Sequence, residues 1–225
     1  MAISQHRTPT PGPAFVRLLA RIAGTEPPPM GQPLSAWLGQ QIDWNRAVAL
    51  SGALDGRVPA PPEDAPAFDA AEDEACARLR ASLAESITGD AGPEAPADEA
   101  APLDYAPFRS HYQARQRAML AATGRLRGQL RDMLAASPAL ARLAEVDAVM
   151  EQVLGPREHA LLAKLPALLG GHFERLQQGA VAAGGGRAWL QVFRRDMQDV
   201  LLAELDIRFQ PIDALLAALR TPRTP

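Results

Sequence analysis

From residue 105 to residue 220 the large apolar side chains return at spacings of three, four and seven, and Pro and Gly stand between the apolar runs. That period puts them on one face of an α-helix, and segments of this kind are stable only when those faces are buried against one another. The first run, 105–136, aligns Tyr105, Phe108, Tyr112, Met119, Leu126, Leu130 and Met133. Ser137-Pro138 reads as the start of a second helix, Ser at the cap and Pro in the first turn, and Gly155-Pro156 as its end. A third segment, 157–178, carries Leu161, Leu162, Leu165, Leu168, Leu169, Phe173 and Leu176, with Pro166 expected to kink it. Gly184-Gly185-Gly186 reads as a flexible turn before a helix at 187–209, and Pro211 as the start of a last short helix ending at Arg220. Composition agrees. The chain has 29 Leu against 6 Ile and 9 Val, and Leu favours helix where β-branched residues favour strands. The expectation is an all-α helical bundle with short connections and no sheet.

The preceding half is less uniform. In 1–57 a helix is expected at 13–23, where Phe15, Leu18, Leu19 and Ile22 share a face before Pro27-Pro28-Pro29 ends it. A second is expected from Pro33 to Leu54, broken near Gly39 and carrying Trp37, Leu38, Ile42, Trp44 and Val48. Residues 58–104 form a Pro-rich acidic segment, with 12 Asp or Glu and two Arg between 63 and 104, a local charge of −10. Its thin stripe of Phe68, Leu79, Leu83 and Ile87 admits a helix, whereas 88–101 has almost no large apolar residue and reads as disordered linker. The organisation expected is an N-terminal helical segment at 1–57, an acidic, Pro/Ala-rich, partly disordered linker at 58–104, and a helical bundle at 105–220.

Several function classes lose their support. The net charge of −3 supplies no overall field toward nucleic acid. One stretch, the Arg-rich helix 109–131, could track phosphates through Arg115, Arg117, Arg125 and Arg127 with Tyr112 for stacking. Neutralisation by the acidic segment is the preferred reading of it. Cys76 is the single cysteine, so no internal disulfide forms, and its acidic neighbours should make the thiol less reactive. The histidines are His6, His111, His159 and His172; the last two lie on one expected helix, about 20 Å apart at ~1.5 Å per residue, too far to share a metal. Neither Glu151, Glu158 nor Glu174 begins a Glu-x-x-His pair. No Gly-x-Ser-x-Gly elbow occurs, and the glycines at 184–186 lack the Lys-Ser/Thr and the preceding strand of a phosphate loop. Glu151, Asp196, Asp199, Glu204 and Asp206 are expected on solvated faces, with Arg194 and Arg195 forming surface ion pairs. No catalytic, cofactor or metal residue is therefore assigned. No apolar run reaches the length of a membrane span, and Arg17 and Arg21 interrupt the one candidate signal segment, so a cytoplasmic location is expected.

Certain stretches are distinctive together: Arg17-Leu18-Leu19-Ala20-Arg21, Trp37-Leu38, Asp43-Trp44 with Ala49-Leu50-Ser51, Tyr105-Ala106-Pro107-Phe108-Arg109, Leu143 to Glu151, and Met197 to Asp206. They resemble an uncharacterised bacterial family, domain-of-unknown-function family 3348. The resemblance assigns no activity to any residue. It implies a cytoplasmic accessory of an envelope complex, with a proton-channel-like membrane protein and an OmpA-like peptidoglycan-binding protein as possible partners. The reading that follows is a non-enzymatic helical adaptor that binds other proteins and can form a homo-oligomer; the alternatives are an enzyme with a scattered site and a nucleic-acid binder through 109–131. A buried polar cluster would favour the enzyme, an unopposed basic groove the nucleic-acid binder, and an exposed apolar face the adaptor.

Overall fold

The computed structural model describes residues 14–26, 44–56, 68–94, 96 and 103–221. Expectations resting on His6, Trp37, Leu38 and the break near Gly39 lie outside the described residues. Among the described residues every regular element is an α-helix: α1 (Ala14–Ala23), α2 (Trp44–Asp55), α3 (Ala70–Thr88), α4 (Ala106–Ala135), α5 (Ala141–Leu162), α6 (Leu165–Ala182) and α7 (Ala188–Arg220). The all-α expectation holds.

Three boundaries differ from the sequence reading. Helix α5 runs through Gly155-Pro156, because Val153 and Leu162 keep its buried face continuous and Pro156 lies on the exposed side. The helix is interrupted by a turn at Ala163 and Lys164, so Pro166 falls in the first turn of α6, where its missing N–H costs nothing, and it makes no kink. Helix α7 likewise runs through Pro211, with Phe209, Ile212, Leu215 and Leu216 buried on both sides of it. Burying such side chains contributes about 1.5–3 kcal/mol each, which outweighs the roughly 3 kcal/mol that an interior Pro costs. Ser137 does not cap α5. Its carbonyl accepts from the amides of Leu140 (2.9 Å) and Ala141 (2.8 Å) in a turn, while its buried hydroxyl has no partner among the described residues.

The two longest helices, α4 and α7, form the central pair, with α5, α6, α3 and α1 packed around them. Phe108, Phe173 and Phe193 meet at the centre. The Phe193 ring stands edge-on to Phe173 at 5.0 Å and to Phe108 at 5.5 Å, the arrangement favoured by ring quadrupoles. Tyr105 lies over Gly170 so closely that a Cβ there would sit 3.0 Å from the ring, and its hydroxyl donates to the Pro166 carbonyl at 2.5 Å.

The upstream helices join this assembly. Ile22 of α1 is buried against it, and Arg175 of α6 donates to the Ile22 carbonyl at the end of α1. Helix α3 opens on Asp69, whose carboxylate accepts from the amides of Ala71 (2.8 Å) and Glu72 (3.0 Å). It lies along α7 through Cys76 and Ile87, with Arg80 stacked 5.1 Å over Phe209. The stretch expected as disordered linker is fastened over its described part: Gln198 donates to the carbonyls of Ile87 (3.3 Å) and Asp90 (3.1 Å), and Arg194 to that of Pro93 (2.7 Å). Polar side chains of α7 hold a segment whose own composition offers no apolar anchor.

Candidate functional site

Four constellations carry the chemistry of this surface and core. The first is buried. Glu204 of α7 is fully enclosed, and both its oxygens are filled: Oε1 accepts from Arg208 Nε (3.0 Å) and Nη2 (2.6 Å), Oε2 from the Tyr112 hydroxyl (2.8 Å) and from Gln116 Nε2 (2.9 Å). Gln116 also donates to the Leu162 carbonyl at 3.1 Å, so one cluster ties α4, α5 and α7 together. Burial, reinforced by the Glu204 charge, pushes the Tyr112 hydroxyl well above its ordinary pKa, so it stays a donor. A carboxylate has about four acceptor positions, and here all four are taken. Glu204 therefore does not lie on a solvated face. The expectation is corrected, and so is that for Asp196, which is buried at α7 with His172 Nε2 at 2.8 Å and Arg21 Nη1 at 3.1 Å. Asp199 also pairs with Arg21, at 3.5 Å, while Arg194 turns to the Pro93 carbonyl; the ion pairs expected between neighbours on α7 are replaced by pairs between elements.

The second constellation is the basic side of α4. Arg127 makes a two-pronged bond to Asp147 of α5 (2.9 and 2.7 Å), and Arg131 bonds both Asp147 (3.3 Å) and Glu151. Arg115 bonds Asp90 in the segment after α3. Three of these arginines are thus opposed by carboxylates, two of which lie on α5 and not in the acidic segment. Arg125 is exposed on the same helix. Asp206 and Asp213 hold Arg80 at 2.8 and 3.2 Å, and Asp73 holds Arg220, fixing α3 to α7.

The third comprises the remaining reactive residues. His159 and His172 lie on α5 and α6, two helices where one was expected; His172 meets Asp196 of α7, and His159 is exposed. Among the described residues no group of three or more His, Cys, Asp and Glu could hold a metal ion. Cys76 is buried, and burial with Asp73 and Glu72 nearby raises its thiol pKa. His111 sits 3.8 Å from Asp90, and burial lowers its pKa.

The fourth is α2. None of its side chains is buried; Trp44 is 81 % exposed and Val48 53 %. It packs along α5, where Arg142 donates to the carbonyls of Ala53 (3.3 Å), Leu54 and Gly56 (3.0 Å) and closes its C-terminal end. Its hydrophobic residues are spread around the helix instead of along one stripe, which is why periodicity did not single it out. The cue was the density of Trp and Leu in 37–54.

The family model described as "Protein of unknown function (DUF3348)" matches residues 1–221. No curated protein and no solved structure matches the chain.

Proposed function

For this member of the DUF3348 family, which carries no assigned activity, we propose a non-catalytic, protein-binding role in which α2 is the contact element. The observation that supports it is Trp44. A Trp left 81 % exposed, on a helix that gives no buried side chain to its own bundle, contributes no burial energy to folding. Trp is also the residue type most often found at the energetic centre of protein interfaces. The anchoring of α2 through backbone carbonyls to Arg142 fixes its direction while Trp44 and Val48 stay exposed.

The other readings fare less well against the same geometry. The buried cluster that would suit an enzyme has its carboxylate saturated by Tyr112, Gln116 and Arg208, a staple between helices. The basic side of α4 meets Asp147, Glu151 and Asp90 at Arg127, Arg131 and Arg115, so it supplies no continuous groove for phosphates. Among the described residues no helix is long and apolar enough to cross a membrane. The partner class proposed is a component of an envelope-associated assembly, following the family resemblance, and the location proposed is the cytoplasmic side.

The test is an affinity enrichment from the native host with wild-type protein and with Trp44→Ala, alongside thermal unfolding of both. The reading expects unchanged melting temperature and loss of specific proteins from the variant's eluate. Identical eluates with both proteins contradict it.

A further inference from the structure

Between α4, α5 and the middle of α7 lies a cavity of about 210 Å³, continuous in its lining with a smaller one of about 90 Å³ through Leu120, His159 and Arg208. Its size is below the ~300–1,000 Å³ of pockets that take drug-sized molecules, so an occupant is small. The walls of the larger cavity combine two kinds of group. Arg117, Arg208 and His159, with Gln116, form one; Leu120 and Leu162 form the other, and no carboxylate lines it.

Arg208 is held for this task. Its Nε and Nη2 are locked on Glu204, its side chain is 6 % exposed, and it lines both cavities. Nη1 makes no hydrogen bond among the described residues; Glu158 Oε1 lies 3.9 Å from it, beyond hydrogen-bond reach. Arg117 and His159 have no hydrogen-bond or ion-pair partner among the described residues. One guanidinium fixed by Glu204 and a second, solvent-exposed one on the wall of the same cavity together offer donors that suit an oxyanion.

We propose that this cavity binds a small oxyanion, a carboxylate or phosphate group, through Arg208 Nη1 and Arg117, with any short apolar body of the ligand lying against Leu120 and Leu162. This site is independent of the protein-binding role of α2. Glu204 already balances Arg208, so the attraction for the anion comes from Arg117. Glu158, on the wall of the smaller cavity with its carboxylate 3.9 Å from Nη1, weakens that attraction by its charge without lining the larger cavity.

The experiment is a titration of the full chain with inorganic phosphate and, separately, with butyrate at constant ionic strength, followed by NMR of the His159 ring and of the arginine Nε groups. Saturable shifts are expected with at least one anion. Arg117→Gln should weaken that binding about tenfold, the size of one good polar contact, and Glu158→Gln should tighten it. Preference for phosphate assigns a phosphate head; preference for butyrate assigns a carboxylate on a short apolar chain. Arg117 lines the larger cavity and Glu158 the smaller, both outside the Glu204 cluster, and circular dichroism checks that the variants fold. Absence of saturable shifts with both anions, or shifts indifferent to both substitutions, overturns the proposal.

Discussion

The Tyr112 hydroxyl of α4 donates to the Glu204 carboxylate of α7 at 2.8 Å, and neither side chain is exposed. The bond joins the two central helices through a charge that water cannot reach, so the stability of the bundle depends on the completeness of this cluster. Tyr112→Phe removes one donor and should cost about 1–3 kcal/mol. Arg208→Met leaves Glu204 charged and uncompensated and should cost more, about 3–5 kcal/mol. Replacing both charges, Glu204→Met with Arg208→Met, should be much less damaging than Arg208→Met alone. Urea unfolding of the three variants checks the order; a double variant as unstable as the single one contradicts it.

Two glycines of the same helix should respond with opposite signs to alanine. Gly179 has open space around its Cβ position, so Gly179→Ala should stabilise α6 by roughly 0.5–1 kcal/mol. At Gly170 the added methyl meets the Tyr105 ring at 3.0 Å, and that ring is tied down by its bond to Pro166, so Gly170→Ala should destabilise by about 1–3 kcal/mol. Thermal unfolding distinguishes them directly.

The contact between α4 and the segment after α3 should lose stability in acid in two stages. Burial lowers the pKa of His111 from its ordinary 6.5, with Arg115 lowering and Asp90 opposing, so the folded state binds this proton less readily than the unfolded chain. Stability is therefore lost as pH falls through 6.5 toward the lower folded value. Asp90 is held below its ordinary 3.8 by the Gly92 amide and then by Arg115; its contribution is present above 3.8 and lost as pH falls through its folded value. Denaturant midpoints against pH should show both declines, with His111→Gln removing the first and Asp90→Asn the second.

Nucleic acid provides a further check on the paired arginines. Binding to duplex or single-stranded DNA should be absent at physiological salt, because Arg115, Arg127 and Arg131 already face carboxylates. Micromolar affinity with a steep salt slope contradicts this account of α4.

What the sequence made legible was one-dimensional. The stripe Phe108, Tyr112, Met119, Leu126, Leu130 and Met133 is buried as its spacing requires, because a helix face is fixed by local period alone. Pro156 and Pro211 misled for the complementary reason: a Pro carries a local penalty, whereas the buried contacts of Val153 or Ile212 that offset it come from other helices. Glu204 and Asp196 were illegible as buried groups, since their partners Tyr112 and His172 lie 92 and 24 residues away. The Arg127–Asp147 pair escaped similarly: the acidic segment was the obvious counter-charge in sequence, while α5 supplied the near one in space.

The protein-binding account rests on the outward side of α2, and a photo-crosslinking amino acid placed in the living host tests it most directly. Substituted at Trp44 or Val48, it should yield discrete adducts with one or a few proteins. At Arg125, also exposed but on α4 and outside the proposed contact, it should yield none. Labelling at position 125 equal to that at 44 and 48, or no adduct at either α2 position, contradicts the account.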